Sequence, residues 1–181
     1  MSIFDINLLK DKPSQMSQIY FGMGCFWGAE KRFWQLQGLY TTAVGYAGGI
    51  TDKPNYESVC TGETGHAEIV KVIYDKKMLG LQNLLKIFWE SHDPTQLNRQ
   101  GNDIGTQYRS IILSESKNEL EILENSKIRF QKALINSNMG KIQTEIKPLE
   151  EFYLAEEYHQ KYLHKNPNGY CGLKGTGIKY I

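Results

Sequence analysis

Ile19-Tyr20-Phe21-Gly22-Met23-Gly24-Cys25-Phe26-Trp27-Gly28 is the stretch from which both the fold and the chemistry of this chain can be read. The apolar run Ile19 to Gly22 reads as a short strand and Gly24 as a turn. The segment that follows, through Gln37, reads as a helix, because Phe26, Ala29, Phe33 and Leu36 recur at helical spacing until Gly38 stops them. That order places Cys25 among the first residues of a helix, where unpaired backbone N–H groups and the positive end of the dipole favour a thiolate. Cys25 is therefore predicted to be a reactive cysteine of lowered pKa. Gly24 and Gly28 leave room for a substrate or a backbone to come close. A cysteine between bulky aromatics can also be a small core residue, but the two glycines and the helix entry point the other way.

The chain has 181 residues, enough for one domain with a real core, and no compositional shift marks a linker. A single catalytic domain over 1–181 is expected. The 21 Lys and Arg nearly balance the 20 Asp and Glu, giving a formal net charge of +1, so no global field would gather nucleic acid or an anionic membrane. Met1 to Lys10 lacks the pattern of a signal peptide and no apolar run is long enough to span a bilayer, so a cytoplasmic enzyme without membrane or nucleic-acid partners, acting as a monomer, is expected. Three cysteines, Cys25, Cys60 and Cys171, are an odd number at no metal-like spacing. Neither a secreted disulfide framework nor a metal site is expected, and no cofactor.

Residues 1–17, with Pro13, read as an N-terminal extension held by Ile3, Phe4, Ile6, Leu8 and Leu9. Thr41 to Tyr46 reads as a strand broken by Ala47-Gly48-Gly49 into a loop that runs past Pro54 to Tyr56. Gly45, Gly48 and Gly49 are followed by polar residues and Pro54 where a phosphate cradle needs a helix, so turn geometry explains them better. Cys60, without charged neighbours in sequence, reads as structural. His66 to Asp75 is the clearest strand, rich in β-branched residues and apolar on both faces. Alternation puts Glu68 on the face of Val70 and Val72. A carboxyl among such neighbours resists ionisation and can serve as a general acid, or it sits partly wet at the strand end and merely bonds a loop.

Leu81, Leu84, Leu85 and Phe88 predict a helix that ends before Pro94. The polar loop from Thr95 to Thr106 carries Asp103 and leads into a strand, Gln107 to Leu113, so that Asp103 and Tyr108 can reach one site. Ser114 is a plausible N-cap for a long amphipathic helix with Leu120, Leu123, Phe130 and Leu134 inward. Lys141 to Leu149 alternates as a further strand, and Ala155 to His164 reads as a short helix. His159 and His164 are spaced wrongly for two metal ligands on one helix face and are taken as packing or hydrogen-bonding residues. The tail, 165–181, holds Cys171 among Gly169, Gly172, Gly175 and Gly177, a flexible segment. Its cysteine is either idle or placed to visit a reactive partner.

Five motifs in order, Gly24-Cys25-Phe26-Trp27-Gly28, Gly45-Tyr46-Ala47-Gly48-Gly49, Gly65-His66-Ala67-Glu68, Gly105-Thr106-Gln107-Tyr108-Arg109-Ser110 and Asn168-Gly169-Tyr170-Cys171-Gly172, closely resemble the A-type peptide methionine sulfoxide reductases. The resemblance implies an α+β two-layer sandwich on a ferredoxin-like βαββαβ core, with a mixed, mainly antiparallel sheet and a long irregular C-terminal segment. It implies thiol-dependent reduction of methionine-S-sulfoxide, free or in oxidised proteins and peptides. Cys25 then matches the nucleophile, and Phe26 and Trp27 the walls around the substrate's methyl group. Glu68 matches the acid at the sulfoxide oxygen, aided by Tyr56 and Tyr108, and Asp103 a supporting carboxylate. Cys171 matches the resolving cysteine, its disulfide with Cys25 being reduced by thioredoxin, or by dithiothreitol in vitro. The tail has no third cysteine for a further relay. The chemistry suits these residue types: a sulfoxide sulfur becomes electrophilic only when its oxygen takes up a proton or strong hydrogen bonds, and the resulting sulfenic acid condenses with a nearby thiol. A thiol peroxidase or a general thiol–disulfide oxidoreductase is the alternative, weakened by the absence of Cys-x-x-Cys.

Overall fold

The computed structural model of the chain describes residues 2–4 and 12–180. Its frame is a six-stranded sheet with the order β7-β6-β1-β3-β2-β8. The strands are β1 (Ser17–Met23), β2 (Leu39–Ala47), β3 (Ala67–Tyr74), β6 (Ser110–Ser114), β7 (Glu145–Pro148) and β8 (Phe152–Leu154), while β4 (Arg99–Gln100) and β5 (Asp103–Ile104) form a separate small hairpin. Every pairing in the large sheet is antiparallel except β6 with β7. The fold is thus mixed α/β with a mostly antiparallel sheet.

Alternation along the strands divides the buried residues between two faces. One carries Ile19, Phe21, Met23, Val44, Tyr46, Val70, Val72 and Ile112. It is covered by three helices, α1 (Phe26–Lys31), α3 (Leu81–Ser91) and α4 (Lys117–Asn136). Trp89 of α3, fully buried, donates its indole N–H to Ser126 of α4 at 3.1 Å, which ties the two long helices together. The other face holds a smaller cluster of Tyr20, Ala67, Ile69, Ile111 and Leu113, with Leu149 and Phe152 packed on it. The Ile19 to Gly22 run and the His66 to Asp75 run are therefore neighbouring interior strands, with Phe21 opposite Val70.

Several elements depart from their sequence reading. The first helix ends at Lys31; the chain to Leu36 goes on as turns with i to i+3 bonds, which let Phe33 bury fully and bring the Trp34 indole N–H to Thr42 at 3.2 Å. The loop before Cys60 contains a short helix, α2 (Tyr56–Cys60), closed by a reciprocal capping box between Asn55 and Ser58. The helix expected over 155–164 is split into a 3-10 turn, Glu157–His159, and α5 (Tyr162–Lys165), because Lys161 adopts φ +53° between them. Of the N-terminal anchors, Ile3 accepts a bond from Thr41 at 2.8 Å and Phe4 stacks on His164 at 3.7 Å, while Ile6, Leu8 and Leu9 lie outside the described residues.

The closing segment is irregular, as expected, yet it is seated. Arg32 donates to the Leu173 carbonyl at 2.9 Å, and Gly175 lies so close to the Glu90 carbonyl that a Cβ would come within 1.9 Å of it. Tyr180 is buried, its N–H donating to Glu90 and its hydroxyl to Gln82. Among the described residues no helix is long and apolar enough to cross a membrane.

Candidate active site

The turn into α1 is built around the sulfur of Cys25. Cys25 is the N-cap residue and its side chain makes no capping hydrogen bond, although the backbone N–H groups of Trp27 and Gly28 act to lower its thiol; the Phe26 N–H donates to Glu68 at 2.9 Å. One of the donors that a helix start leaves unpaired is thus taken by a carboxyl. Gly24 makes the turn at φ +96°, and a Cβ there would meet the Gln100 side chain at 2.7 Å. The close approach of the β4 hairpin therefore needs glycine.

Glu68 is 2% exposed on the helix-facing side of β3. Burial pushes its carboxyl up to about 8, against the Phe26 N–H bond that favours the charge, with Asp103 adding a further upward push. The wet strand-end alternative does not describe this group, which stays protonated through neutral pH. Burial also raises Cys25, to about 12, with the field of Glu68 next, and these outweigh the lowering by the two backbone donors. The expectation of a low-pKa thiol at the helix entry is corrected here. The donors are present, but desolvation is the larger effect, and the resting sulfur is a thiol.

Tyr56, Tyr108 and Asp103 converge on the same place. The Tyr56 and Tyr108 phenols are both held above their usual range by burial, and both feel Glu68; Tyr56 also feels Cys25, and Tyr108 feels Tyr56 and Asp103. Asp103, raised by burial, accepts a bond from the Tyr170 hydroxyl at 3.3 Å. Cys60, read as structural, is instead exposed at the edge of this cluster, where its sulfur is hydrogen-bonded to Tyr56 and lies in the fields of Glu68 and Glu156. Its charged neighbours come from other parts of the fold, so its flanking sequence could not show them.

Phe26 and Trp27 form an aromatic wall with partners that the sequence did not single out. Trp27 stacks on Tyr162 at 3.8 Å and donates its indole N–H to His159 Nδ1 at 3.0 Å. His159 is 1% exposed and lies between the rings of Phe26, Tyr56 and Tyr158. Accepting at Nδ1 puts its proton on Nε2, which has no hydrogen-bond partner. Reading His159 as a hydrogen-bonding residue was right in kind, but the aromatic-rich context Tyr158-His159-x-x-Tyr162 was the only signal of its place. Below this wall, buried Glu30 of α1 accepts from Lys161 Nζ at 3.0 Å, from the Lys161 backbone N–H and from the Thr42 hydroxyl. Lys161 Nζ also bonds the Thr42 carbonyl and hydroxyl.

Cys171 is exposed and lies against α1: a Cβ on Gly28 would come within 3.0 Å of its sulfur. Gly28 is therefore the point where the tail meets the helix that starts at Cys25. All three cysteines are free, and no group of His, Cys, Asp or Glu among the described residues could hold a metal.

A half-buried thiol beside a buried carboxyl pushed toward its protonated form and two phenols, with a second thiol laid on the same helix, fits a cysteine-based oxidoreductase. Comparison with known proteins specifies which: the profile of the family described as "Peptide methionine sulfoxide reductase" matches residues 17–179, and the chain belongs to that family. The "Peptide methionine sulfoxide reductase MsrA" of Brucella anthropi is 58% identical over 166 residues, covering 92% of this chain and 76% of that protein. Among solved structures, methionine sulfoxide reductase A of Corynebacterium diphtheriae superposes with a TM-score of 0.85 at 46% identity, covering 89% of this chain and 80% of that one. Mxr1 of Saccharomyces cerevisiae in reduced form gives 0.82 at 40% identity, with 90% and 92% covered. The same yeast protein, solved in complex with Trx2, matches with a TM-score of 0.60 at 27% identity, with 86% and 90% covered.

Proposed function

We propose that this enzyme reduces the S epimer of methionine sulfoxide, free or within polypeptides, with Cys25 as nucleophile. The observation that carries the reading is the buried Glu68 carboxyl, held by the Phe26 N–H at 2.9 Å at the start of the helix that Cys25 caps and pushed by burial toward its protonated form. In this reading the sulfoxide oxygen sits among Glu68, Tyr56 and Tyr108, which bond or protonate it, and the methyl group lies against Phe26 and Trp27. The sulfur then becomes electrophilic, Cys25 attacks, and the product is methionine with a sulfenic acid on Cys25. Asp103 supports the site by hydrogen bonding, here through Tyr170. Gly24 and Gly28 keep the approach to the sulfur open.

Cys171 attacks the sulfenic acid, water leaves, and a Cys25–Cys171 disulfide remains for thioredoxin to reduce. The contact of Cys171 with Gly28 supports this role, and the partner is suggested by the yeast relative solved with Trx2. We read 1–181 as one catalytic domain, with the family match over 17–179 in support, and 165–181 as the segment that must move to close the disulfide. The βαββαβ order of β1, α1, β2, β3, α3 and β6, with β6-β1-β3-β2 adjacent, supports a ferredoxin-like core. Three free cysteines suit a reducing, cytoplasmic setting.

The test is a single turnover without reductant. Methionine-S-sulfoxide should yield one methionine per enzyme, two thiols should disappear, and mass spectrometry should find Cys25 bridged to Cys171. Equal turnover of the R epimer, or loss of no thiols, refutes the reading, and competition with peroxide separates it from a thiol peroxidase.

A further inference from the structure

Beyond the substrate side, the exposed sulfur of Cys171 opens onto a second cleft, of about 430 Å3. It is lined by Gly28, Lys31, Arg32 and Gln35, spaced as one face of α1 and its continuing turns, and by Ile87 and Ser91 across from them on α3. None of Glu68, Tyr56, Tyr108 or His159 lines it. Lys31 and Arg32 are both exposed, and no carboxylate among the described residues pairs with either. Arg32 is oriented by the Leu173 carbonyl, and exposed Lys174 follows that residue in the chain. The side of α1 that carries Cys171 is thus positively charged through Lys31 and Arg32, whereas the Glu68 carboxyl on the Cys25 side is held neutral by burial.

A disulfide between these cysteines offers an incoming thiol one accessible sulfur, that of Cys171, because Cys25 is pressed into the helix start. We propose that the cleft is the docking surface for the dithiol protein that regenerates the enzyme, and that Lys31 and Arg32, with Lys174, recognise carboxylates on the rim around that partner's thiol. The partner thiolate attacks Cys171, a mixed disulfide forms and Cys25 leaves as a thiolate. The partner's second thiolate then attacks its own sulfur in the mixed disulfide and frees Cys171. The partner is oxidised by two electrons, and Cys25 and Cys171 each regain a proton. Ile87 gives the partner an apolar floor, while the cations steer and orient it. This inference rests on the thioredoxin-dependent reading above.

The experiment measures kcat/KM for an acidic bacterial thioredoxin, kept reduced by its reductase and NADPH, at saturating methionine-S-sulfoxide and at low and high salt. Dithiothreitol-driven turnover runs alongside. Wild type should lose about tenfold in kcat/KM for thioredoxin from low to high salt. Lys31→Glu combined with Lys174→Glu should start about tenfold lower at low salt and lose the salt trend, with dithiothreitol turnover unchanged. Lys31→Arg should behave as wild type. A wild-type kcat/KM indifferent to salt, or a reversal variant that matches wild type with thioredoxin, overturns the docking surface. Should the reversal also lower dithiothreitol turnover, Lys31→Gln and Lys174→Gln are compared in the same way and decide the matter. Absence of wild-type turnover with dithiothreitol, or with thioredoxin while dithiothreitol works, would instead refute the underlying reading.

Discussion

Replacing Glu68 with glutamine should make the protein more stable at neutral pH while nearly abolishing its activity. The wild-type carboxyl titrates at about 8 when folded, against an ordinary value of 4.5. In the unfolded chain it ionises from pH 4.5 upward, whereas the folded protein must keep it protonated. The contribution of this group is therefore fully present below pH 4.5 and is lost progressively as pH rises toward 8. At about 1.36 kcal/mol per pH unit, the loss between about pH 5 and pH 7.5 is roughly 3 kcal/mol. Glutamine does not titrate, so this loss disappears. Its carbonyl can still accept the Phe26 N–H, but its buried amide donors cost about 1–3 kcal/mol if they lack partners. That cost is the same at both pH values and cancels in the comparison. Urea unfolding of both proteins at the two pH values, followed by tryptophan fluorescence, should show the variant gaining roughly 3 kcal/mol on wild type from acid to neutral pH, a relative shift in Tm of about 6–12 °C. Turnover should fall roughly 10²–10⁴-fold, the usual worth of a positioned acid. A stability difference that does not change with pH would refute the protonated-carboxyl argument, whatever happens to the rate.

Cys25, held up to about 12, should be alkylated by iodoacetamide at a rate that climbs about tenfold per pH unit with no plateau up to about pH 10. A plateau near neutrality, measured in a Cys60→Ser/Cys171→Ser background, would restore the low-pKa reading. Gly28→Ala places a Cβ 3.0 Å from the Cys171 sulfur and 3.4 Å from Leu173, so disulfide formation should slow relative to the methionine burst. Trapping of the sulfenic acid by dimedone should rise in that variant, and unchanged trapping would show that the tail does not pass this point. Cys171→Ser should complete one turnover and then stall with thioredoxin as sole reductant; continued turnover would transfer the resolving role elsewhere. Glu30→Ala strands the Lys161 ammonium in the interior, and denaturant unfolding should show a loss of roughly 3–5 kcal/mol, whereas a loss below about 1 kcal/mol would mean that water reaches the pair.

Elements governed by local periodicity were legible in the sequence. Those include the Ile19 to Gly22 strand, the β3 strand with Glu68 on the Val70 and Val72 face, and the helices carrying Leu84 and Leu123. Features set by tertiary contact were not. The first helix stops early because Phe33 and Trp34 find partners in the core and on β2. The β8 strand exists because the edge of β2 is open to Phe152–Leu154. One miss was readable: Asn55 and Ser58 form a capping box that announces α2 and so places Tyr56 on a helix. At the candidate site, residue types and motif order singled out Cys25, Glu68, Tyr56, Tyr108 and Asp103, which the fold brings near one another. The sign of the Cys25 shift was misjudged because periodicity shows which donors a helix start offers, but not how little water will reach the sulfur.

The clasp between Glu30 and Lys161 has a further consequence. Glu30 sits one turn along from the Cys25 sulfur, and Lys161 lies between His159 and Tyr162, the two residues that hold Trp27. Floor and wall of the slot are thus riveted to each other through the interior. Widening the gap for a thicker alkyl group would mean parting two opposite charges away from water, so an S-ethyl analogue such as ethionine sulfoxide should be turned away for want of give. Fastidiousness toward the methyl group would then reside in a bond that no substrate ever touches.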